Sequence, residues 1–450
     1  MENIKRIHFV GIGGVSMSKL ALSAKASGYI VTGSDLADGS VPAGLAEAGI
    51  RVFVGHRADN IGAADLVVVT AAVPADNPEL RIAVARGIPV TGRAEFLGRL
   101  CDTYQNVVAV AGCHGKTTAS GMIGYILQKA GLHPALHIGG ALQKEERNGE
   151  NGAANDKIMV VEACEYKRSF LHLRADFPVV LNVGEDHLDY YRDLRDIKSA
   201  FAAFLKNRRA DGAVVANGDD RNTADVLKEA GCGAVTFGLD KGNDYRARNI
   251  AEEGGRFSFD LWERGKKTAR ITLGVPGRHN IYNALTASAV TRRMGAAPET
   301  VAAALWDFSG MKRRFEYRAG VNGAKIYHDY AHHPDEIAAV FRAARLMKPA
   351  RLICVFQPHT YSRTKILMNE FVRVLRRADI AVIAEIYAAR EQADPSVSGA
   401  LLCERVRRET PACFYFPTFG EIRGFLVEQL QKGDLVLVLG AGNIDGLYPI

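Results

Sequence analysis

The sequence predicts an α/β protein made of helix-covered parallel sheets, arranged as three domains in series. Three observations predict it. Strand-like apolar runs alternate with helix-like segments along nearly all of the 450 residues, the pattern of parallel strands joined by crossover helices. Glycine-rich turns directly follow two of those strands and open helices. The strand–helix pattern also restarts twice, near Asp102–Gln105 and after Phe308-Ser309-Gly310. The restarts divide a chain too long for one ordinary core into pieces of usual domain size.

In the first segment, Ile7–Val10 reads as a strand, followed by a glycine turn and a helix through Leu20 that stops at Gly28. Strands are predicted at Tyr29–Thr32, Arg51–Val54, Leu66–Thr70 and near Ile88–Val90. The second segment opens with the strand Val107–Ala111, then a turn and a helix ending near Gly131. Strands at Ile158–Val161 and Val179–Val183, a helix over Leu194–Lys206 and a strand at Ala213–Ala216 follow. Phe257–Leu261 and Thr268–Leu273, separated by Glu263-Arg264-Gly265-Lys266, predict an antiparallel hairpin. A helix from His279 to Met294 closes the segment. The third has strands near Lys325–His328, Leu352–Phe356, Ile380–Ala384 and Leu435–Leu439, again separated by helices.

Composition narrows the function. With 48% hydrophobic and 24% charged residues, the chain reads as soluble and globular. Its +7 charge is scattered, without interleaved aromatics, which argues against nucleic acid and suits an anionic small substrate. No apolar run approaches the ~18 residues of a membrane span. Lys5 and Arg6 precede an apolar stretch, but Gly11, Gly13 and Gly14 interrupt it at once, so a first strand is the better reading than a signal peptide. The seven cysteines (101, 113, 164, 232, 354, 403 and 413) are odd in number and form no CxxC pair. Reduced, packing cysteines in a cytoplasmic protein are expected.

The strongest chemical signal follows Val107–Ala111: Gly112-Cys113-His114-Gly115-Lys116-Thr117-Thr118, then a helix. This context suits a phosphate loop, in which glycines turn backbone N–H groups toward phosphates and the helix N-terminus adds positive potential. Lys116 would reach the β- and γ-phosphates, and the Thr117 hydroxyl would coordinate Mg²⁺. The loop is a shortened form, because Val110 stands where the longer pattern has its first glycine. Glu162 and His187 would emerge at the same sheet edge, where ligands of such sheets gather. A carboxylate suits Mg²⁺ better than a histidine does. Each alone is more simply a solvated strand end or one of 12 histidines.

A second loop, Gly11-Ile12-Gly13-Gly14-Val15-Ser16, also follows a strand and opens a helix, with Asp35 ending the next strand. The layout resembles a dinucleotide fingerprint in which Asp35 meets a ribose hydroxyl, although Ser16 replaces the third glycine. A nicotinamide-dependent dehydrogenase is therefore one rival reading, and a non-enzymatic nucleotide sensor another. The first leaves the Lys116 loop unexplained.

Ordered matches along the whole chain resemble the Mur ligase family. They are Gly11–Gly14 with Met17-Ser18, Gly33-Ser34-Asp35, Arg93-Ala94-Glu95, the phosphate loop, Glu162–Glu165, and Asn182–Asp189 (NVGEDHLD). Gly277–Ala284 (GRHNIYNA), Arg313–Glu316, Asp329–Pro334 (DYAHHP) and Phe356–Thr364 (FQPHTYSRT) complete the series. The resemblance implies an ATP- and Mg²⁺-dependent ligase that joins L-alanine to UDP-N-acetylmuramate through an acyl phosphate. A muramyl-tripeptide recycling ligase is the alternative within the family. The implied fold is a Rossmann-like N-terminal domain (1–104), a central P-loop ATPase-type α/β domain with a small antiparallel hairpin (105–311), and a C-terminal Rossmann-like α/β domain (312–450).

By the same resemblance, the first domain holds the UDP-sugar, with Gly11, Gly13 and Gly14 at the pyrophosphate and Arg93 near the phosphates. The second binds ATP through Gly112–Thr118, with Asn280 and Asn283 at the adenine and a second Mg²⁺ through Glu162 and His187. The third contributes Arg314 and Asp329 to the nucleotide. It receives the amino acid through Tyr330, His332, His359 and Arg363, and the domains are expected to close on substrates. His187 is either a metal ligand or a base for the amine. Many members have threonine at the Cys113 position, aspartate at Cys164 and arginine at Thr360. The lysine carbamylated in some relatives has no counterpart here, where Ala202 and Ala203 stand. Without the resemblance, His332, His333 and His359 read as a packed helix start and strand end.

Overall fold

The computed structural model describes residues 4–36, 43–70, 72–143, 157–187, 190–389 and 391–450. Leu188 and Asp189, the end of the NVGEDHLD stretch, lie outside the described residues. The architecture is α/β throughout, with three sheets. By packing, the chain forms two compact units. One comprises residues 1–249, 260–271 and 282–306, and the other residues 250–259, 272–281 and 307–450.

The first sheet contains β1 (Arg6–Val10), β2 (Ile30–Asp35), β3 (Arg51–Val54), β4 (Leu66–Val69) and β5 (Val90–Gly92), in the order β3-β2-β1-β4-β5. All its pairings are parallel. The chain steps outward from β1 in one direction and resumes at β4 on the other side. The loop after β1 therefore opens at the point where strand order reverses, the crevice such sheets use for ligands.

The second sheet has nine strands: β6 (Asn106–Ala111), β7 (Ala135–His137), β8 (Ile158–Glu162), β9 (Phe177–Val180), β10 (Val215–Asn217), β11 (Val235–Gly238), β12 (Tyr245–Glu253), β13 (Arg256–Glu263) and β14 (Lys266–Pro276). Their order is β14-β13-β12-β11-β10-β9-β6-β8-β7. Val107–Ala111 of β6 is fully buried, as a central parallel strand covered on both faces should be. The predicted hairpin is present as β13 and β14, turning at Arg264-Gly265. A third strand, β12, links it to the parallel part through β11. β12 reads YRARNIAEE and is mostly exposed beyond Ala247, so it carries no apolar alternation. Val179–Val183 was predicted as strand, but β9 ends at Val180. The chain then leaves the ladder because Asn182 bonds the loop after β6.

The helix Leu194–Lys206 shows how local signals and burial agree. Asp193 caps it by accepting the Asp196 N–H at 2.8 Å. Ile197, Ala200, Phe201, Phe204 and Leu205 recur at helical spacing and are buried. Phe204 stacks on Phe170 at 4.9 Å, while Phe201 meets the same ring edge-on at 5.2 Å.

The third sheet contains β15 (Glu316–Val321), β16 (Ala324–Asp329), β17 (Leu352–Phe356), β18 (Ile380–Ile383), β19 (Cys413–Tyr415) and β20 (Leu435–Leu439), ordered β15-β16-β20-β17-β18-β19. Only β15 runs antiparallel to its neighbour. All seven cysteines are free thiols, and Cys403 and Cys413 bring their sulfurs to 3.0 Å.

One buried carboxylate ties the first sheet together. Glu79 is fully buried and accepts from Ser34 Oγ at 2.6 Å and Asn60 Nδ2 at 2.5 Å, with His8 Nε2 at 3.4 Å. Burial pushes its pKa upward, but the His8, Ser34 and Asn60 contacts outweigh that and hold it at about 2. The folded pKa thus lies below the ordinary 4.5. The stabilisation is full above about pH 4.5 and is lost as pH falls toward about 2, amounting to about 3 kcal/mol. Glu79→Gln should therefore lower the urea midpoint most at neutral pH. The gap to the unsubstituted protein should narrow on acidification to pH 3.

Candidate functional site

β6 ends in the loop Gly112–Gly115, and the helix Lys116–Lys129 begins immediately after it. Gly115 caps that helix with φ 89°, and a Cβ there would lie 2.7 Å from Asn283 Oδ1. Gly112 has φ 146°, and its Cβ would meet Leu181 at 2.9 Å. Both positions require glycine for backbone conformation and for close approach. Asn182 braces the loop on both sides: its Oδ1 accepts the His114 N–H at 2.9 Å, and its Nδ2 donates to the His114 carbonyl at 3.0 Å. Cys113 packs its sulfur on Gly184 N at 3.1 Å. Burial, aided by the Glu165 charge, pushes its thiol up to about 12, so it is no nucleophile at neutral pH.

Lys116 folds over this loop. Its Nζ donates to the Gly112 carbonyl at 2.5 Å and lies 3.0 Å from Glu165 Oε1. Burial lowers its pKa, but the Glu165 carboxylate more than compensates and the ammonium is held above its usual range. Thr117 is buried at the helix start. Helix N-terminus, glycine loop and ammonium together form a cradle for phosphate.

Beside Lys116 stands an acid–histidine cluster. Glu165, Asp186 and His187 place one ligand atom each within 4.8 Å of one another. His187 Nε2 is 3.8 Å from both Glu165 Oε1 and Asp186 Oδ2. The ring of Tyr166 lies 4.7 Å from that imidazole. Glu165 Oε2 is buried without a hydrogen-bond partner among the described residues. A buried, unsatisfied carboxylate oxygen needs a partner. Two carboxylates with one histidine fit a divalent cation such as Mg²⁺, the oxygens better than the imidazole. Glu162, at the end of β8, uses its Oε1 to accept the Gly139 N–H at 2.6 Å. His187 joins the cluster of acidic and histidine side chains, and Glu162 does not.

In the first sheet, Gly11 has φ 80°, and a Cβ would collide with Thr70 at 2.6 Å. Asp35 Oδ2 accepts the Gly13 N–H at 2.7 Å, so the carboxylate braces its own loop. Gly14 immediately precedes the helix Val15–Ala26. Arg93 donates to Ser16 Oγ at 3.0 Å, and Ser16 Oγ lies 3.2 Å from His137 Nε2. Asn283 sits against Gly115, whereas Asn280 donates from Nδ2 to the Pro276 carbonyl at 2.6 Å.

The third sheet gathers a separate group at the carboxyl ends of β16 and β17. Asp329 accepts from Phe315 N at 2.7 Å and Ala331 N at 2.8 Å. Burial raises its pKa against the opposing charge of Arg314. Arg314 lies 5.3 Å over the Tyr330 ring. His332 stacks edge-on with His359 at 5.7 Å, and Arg363 Nη1 is 3.3 Å from His359 Nδ1. Burial, then His332 and Arg363, depress His359 to about 4; burial also lowers His332. A cationic fork beside two neutral imidazoles can hold a carboxylate and accept from an amine. Tyr387 stacks on His359 at 5.7 Å and was not singled out from sequence, where it belongs to no motif. Glu165, Asp186 and Asn182 lie inside longer matches, and no local signal marks them out.

Family models match in series: the Mur ligase family catalytic domain over residues 6–105, the Mur ligase middle domain over 110–291, and the Mur ligase glutamate ligase domain over 313–442. The chain is 40% identical to a UDP-N-acetylmuramate–L-alanine ligase of Clostridium novyi, covering 98% of this chain and 96% of that protein. It is 42% identical to one of Lachnospira eligens, over 98% and 97% respectively. Among solved structures, UDP-N-acetylmuramate-alanine ligase from Thermotoga maritima superposes with a TM-score of 0.82 at 28% identity, covering 99% of this chain and 97% of that one. A murein peptide ligase from Psychrobacter arcticus gives 0.71 at 25% identity, with coverage of 99% and 97%.

Gly115→Ala should cost at least ten-fold in ATP affinity, since it opposes both φ 89° and the Asn283 contact. Equilibrium binding of a fluorescent ATP analogue reads the loss.

Proposed function

Because the chain belongs to the Mur ligase family, we propose that it joins L-alanine to UDP-N-acetylmuramate, driven by ATP, in peptidoglycan precursor synthesis in the cytoplasm. The observation that carries the reading is the Lys116 ammonium, held in a glycine loop 3.0 Å from a buried glutamate. Relatives named for this reaction match along 98% of the chain. No described helix is long and apolar enough to cross a membrane.

A carboxylate does not react with an amine at neutral pH, because its leaving group is too poor. The lactyl carboxylate of the sugar nucleotide instead attacks the γ-phosphate of ATP, breaking its bond to the bridging oxygen and giving an acyl phosphate and ADP. The alanine amine attacks that carbonyl, and phosphate departs. Transfer of this kind depends on positioning and charge neutralisation. Lys116 supplies a cation to the γ-phosphate, and the backbone N–H groups of Gly112–Thr118 orient the triphosphate. Glu165, Asp186 and His187, with Thr117 and Glu162 near the same sheet edge, are the groups to hold Mg²⁺, which would neutralise phosphate charge.

The loops after β1 bind the sugar nucleotide through Gly11, Gly13 and Gly14, with Arg93 at its phosphates. Asp35 supports that loop. Asn280 and Asn283 serve the nucleotide base, and Arg314 with Asp329 its phosphate and ribose end. In the third sheet, Arg363 clamps the alanine carboxylate, and the neutral His332 and His359, bordered by Tyr330, face the amine. A small pocket separates alanine from glycine or serine by only ~1–3 kcal/mol.

Lys116→Ala should lower ADP formation by at least ~10³-fold while UDP-N-acetylmuramate still binds. A phosphate-release assay with a panel of amino acids and the muramyl tripeptide reads both substrate and rate. Release that needs tripeptide rather than L-alanine would assign the recycling reaction instead.

A further inference from the structure

At the far end of the second sheet from β7, a cavity of about 380 Å³ opens around the turn between β13 and β14. That volume is within the range of small-molecule sites. The buried Tyr245 lines it with Glu263, while Arg264 and Lys266 come from the turn and Arg292 and Arg293 from the last turn of the helix His279–Arg293. Arg292 is engaged by Glu263 at 2.8 Å. Arg264, Lys266 and Arg293 have no ion pair among the described residues. The nearby Asp244 carboxylate is committed to Thr236 N at 2.9 Å.

The cavity is separate from the phosphate loop. β12, which begins at Tyr245, is four strands from β6 in the sheet order, about 19 Å at ~4.8 Å per strand. The helix that holds Asn283 near Gly115 ends at the cavity, ten residues and about 15 Å later.

The turn itself points to a role. Two-residue hairpin turns with positive φ at both positions favour Asn, Asp or Gly at the first. Here that position is Arg264, with φ 46°, followed by Gly265 with φ 84°. An arginine in a left-handed conformation carries strain, and this one is anchored by its N–H to the Asp244 carbonyl at 2.6 Å. Arg264 lines the cavity together with Tyr245, Arg292 and Arg293.

We infer that this cavity is a second anion site, taking the diphosphate group of a small phosphorylated ligand. Arginine forks match phosphate oxygens two at a time. Adjacent phosphates would engage Arg264 and Arg293 together, with Lys266 as a further point charge.

Calorimetric titration of the full chain with inorganic pyrophosphate, in saturating ADP and UDP to fill the nucleotide sites, tests this. The unsubstituted protein should bind one further equivalent, and Arg264→Gly/Arg293→Ala should bind at least ten-fold more weakly. Arg264→Gly alone installs a residue the turn prefers, so it should fold with an unchanged or higher Tm and bind several-fold more weakly. Equal affinity in all three proteins, or no binding by the unsubstituted one, overturns the inference.

Discussion

The contact between Lys116 and Glu165 is the constraint around which the phosphate loop is organised. Glu165 is 2% exposed and Lys116 18%, so each charge has given up most of its water. Removing one partner of such a pair leaves the other uncompensated, at a cost of about 3–5 kcal/mol. The pair also sets chemistry. Glu165 keeps the ammonium charged inside a site that would otherwise favour its neutral form, and a charged lysine attracts phosphate where a neutral one does not. Several other features serve this contact. The buried β6 fixes where the loop leaves the sheet, the left-handed glycines let it turn, and Asn182 ties it to the strand beside it.

Two glycine loops in this chain use the same backbone device for different ends. After β1, the Gly13 N–H is committed to Asp35 at 2.7 Å, and Val15 rather than a lysine follows the last glycine. After β6, Lys116 follows the last glycine directly, and the neighbouring strand ends supply acids and a histidine. The first arrangement suits an anion that is held, and the second an anion whose terminal group is transferred. The third sheet adds a cation beside imidazoles kept neutral by burial and by Arg363, a composition suited to an amino acid rather than to a nucleotide.

Much of this was legible in the sequence because it is local. Strand, glycine and helix follow one another within a dozen residues at both loops, and β17 and β20 match the apolar runs residue for residue. What was missed depends on distant neighbours. β12 is a strand because β11 and β13 flank it, although its sequence is polar and exposed. β9 stops early because Asn182 finds partners in a loop some seventy residues upstream. Glu165 stands three residues after Glu162 in one acidic motif, and spacing alone does not say which of the two turns toward Lys116. Tyr387 meets His359 only through a bridge between chain segments. Asp35 also braces its own loop through the Gly13 N–H, a contact that spacing alone does not show.

The proposed reaction depends on transfer of the terminal phosphate from the loop around Lys116 to a carboxylate oxygen. Labelling the carboxylate of UDP-N-acetylmuramate with ¹⁸O and analysing the released phosphate by mass tests that step directly. One ¹⁸O should move into each phosphate as the acyl phosphate is broken by the amine. Phosphate free of label, formed at the same rate as the amide, would contradict it.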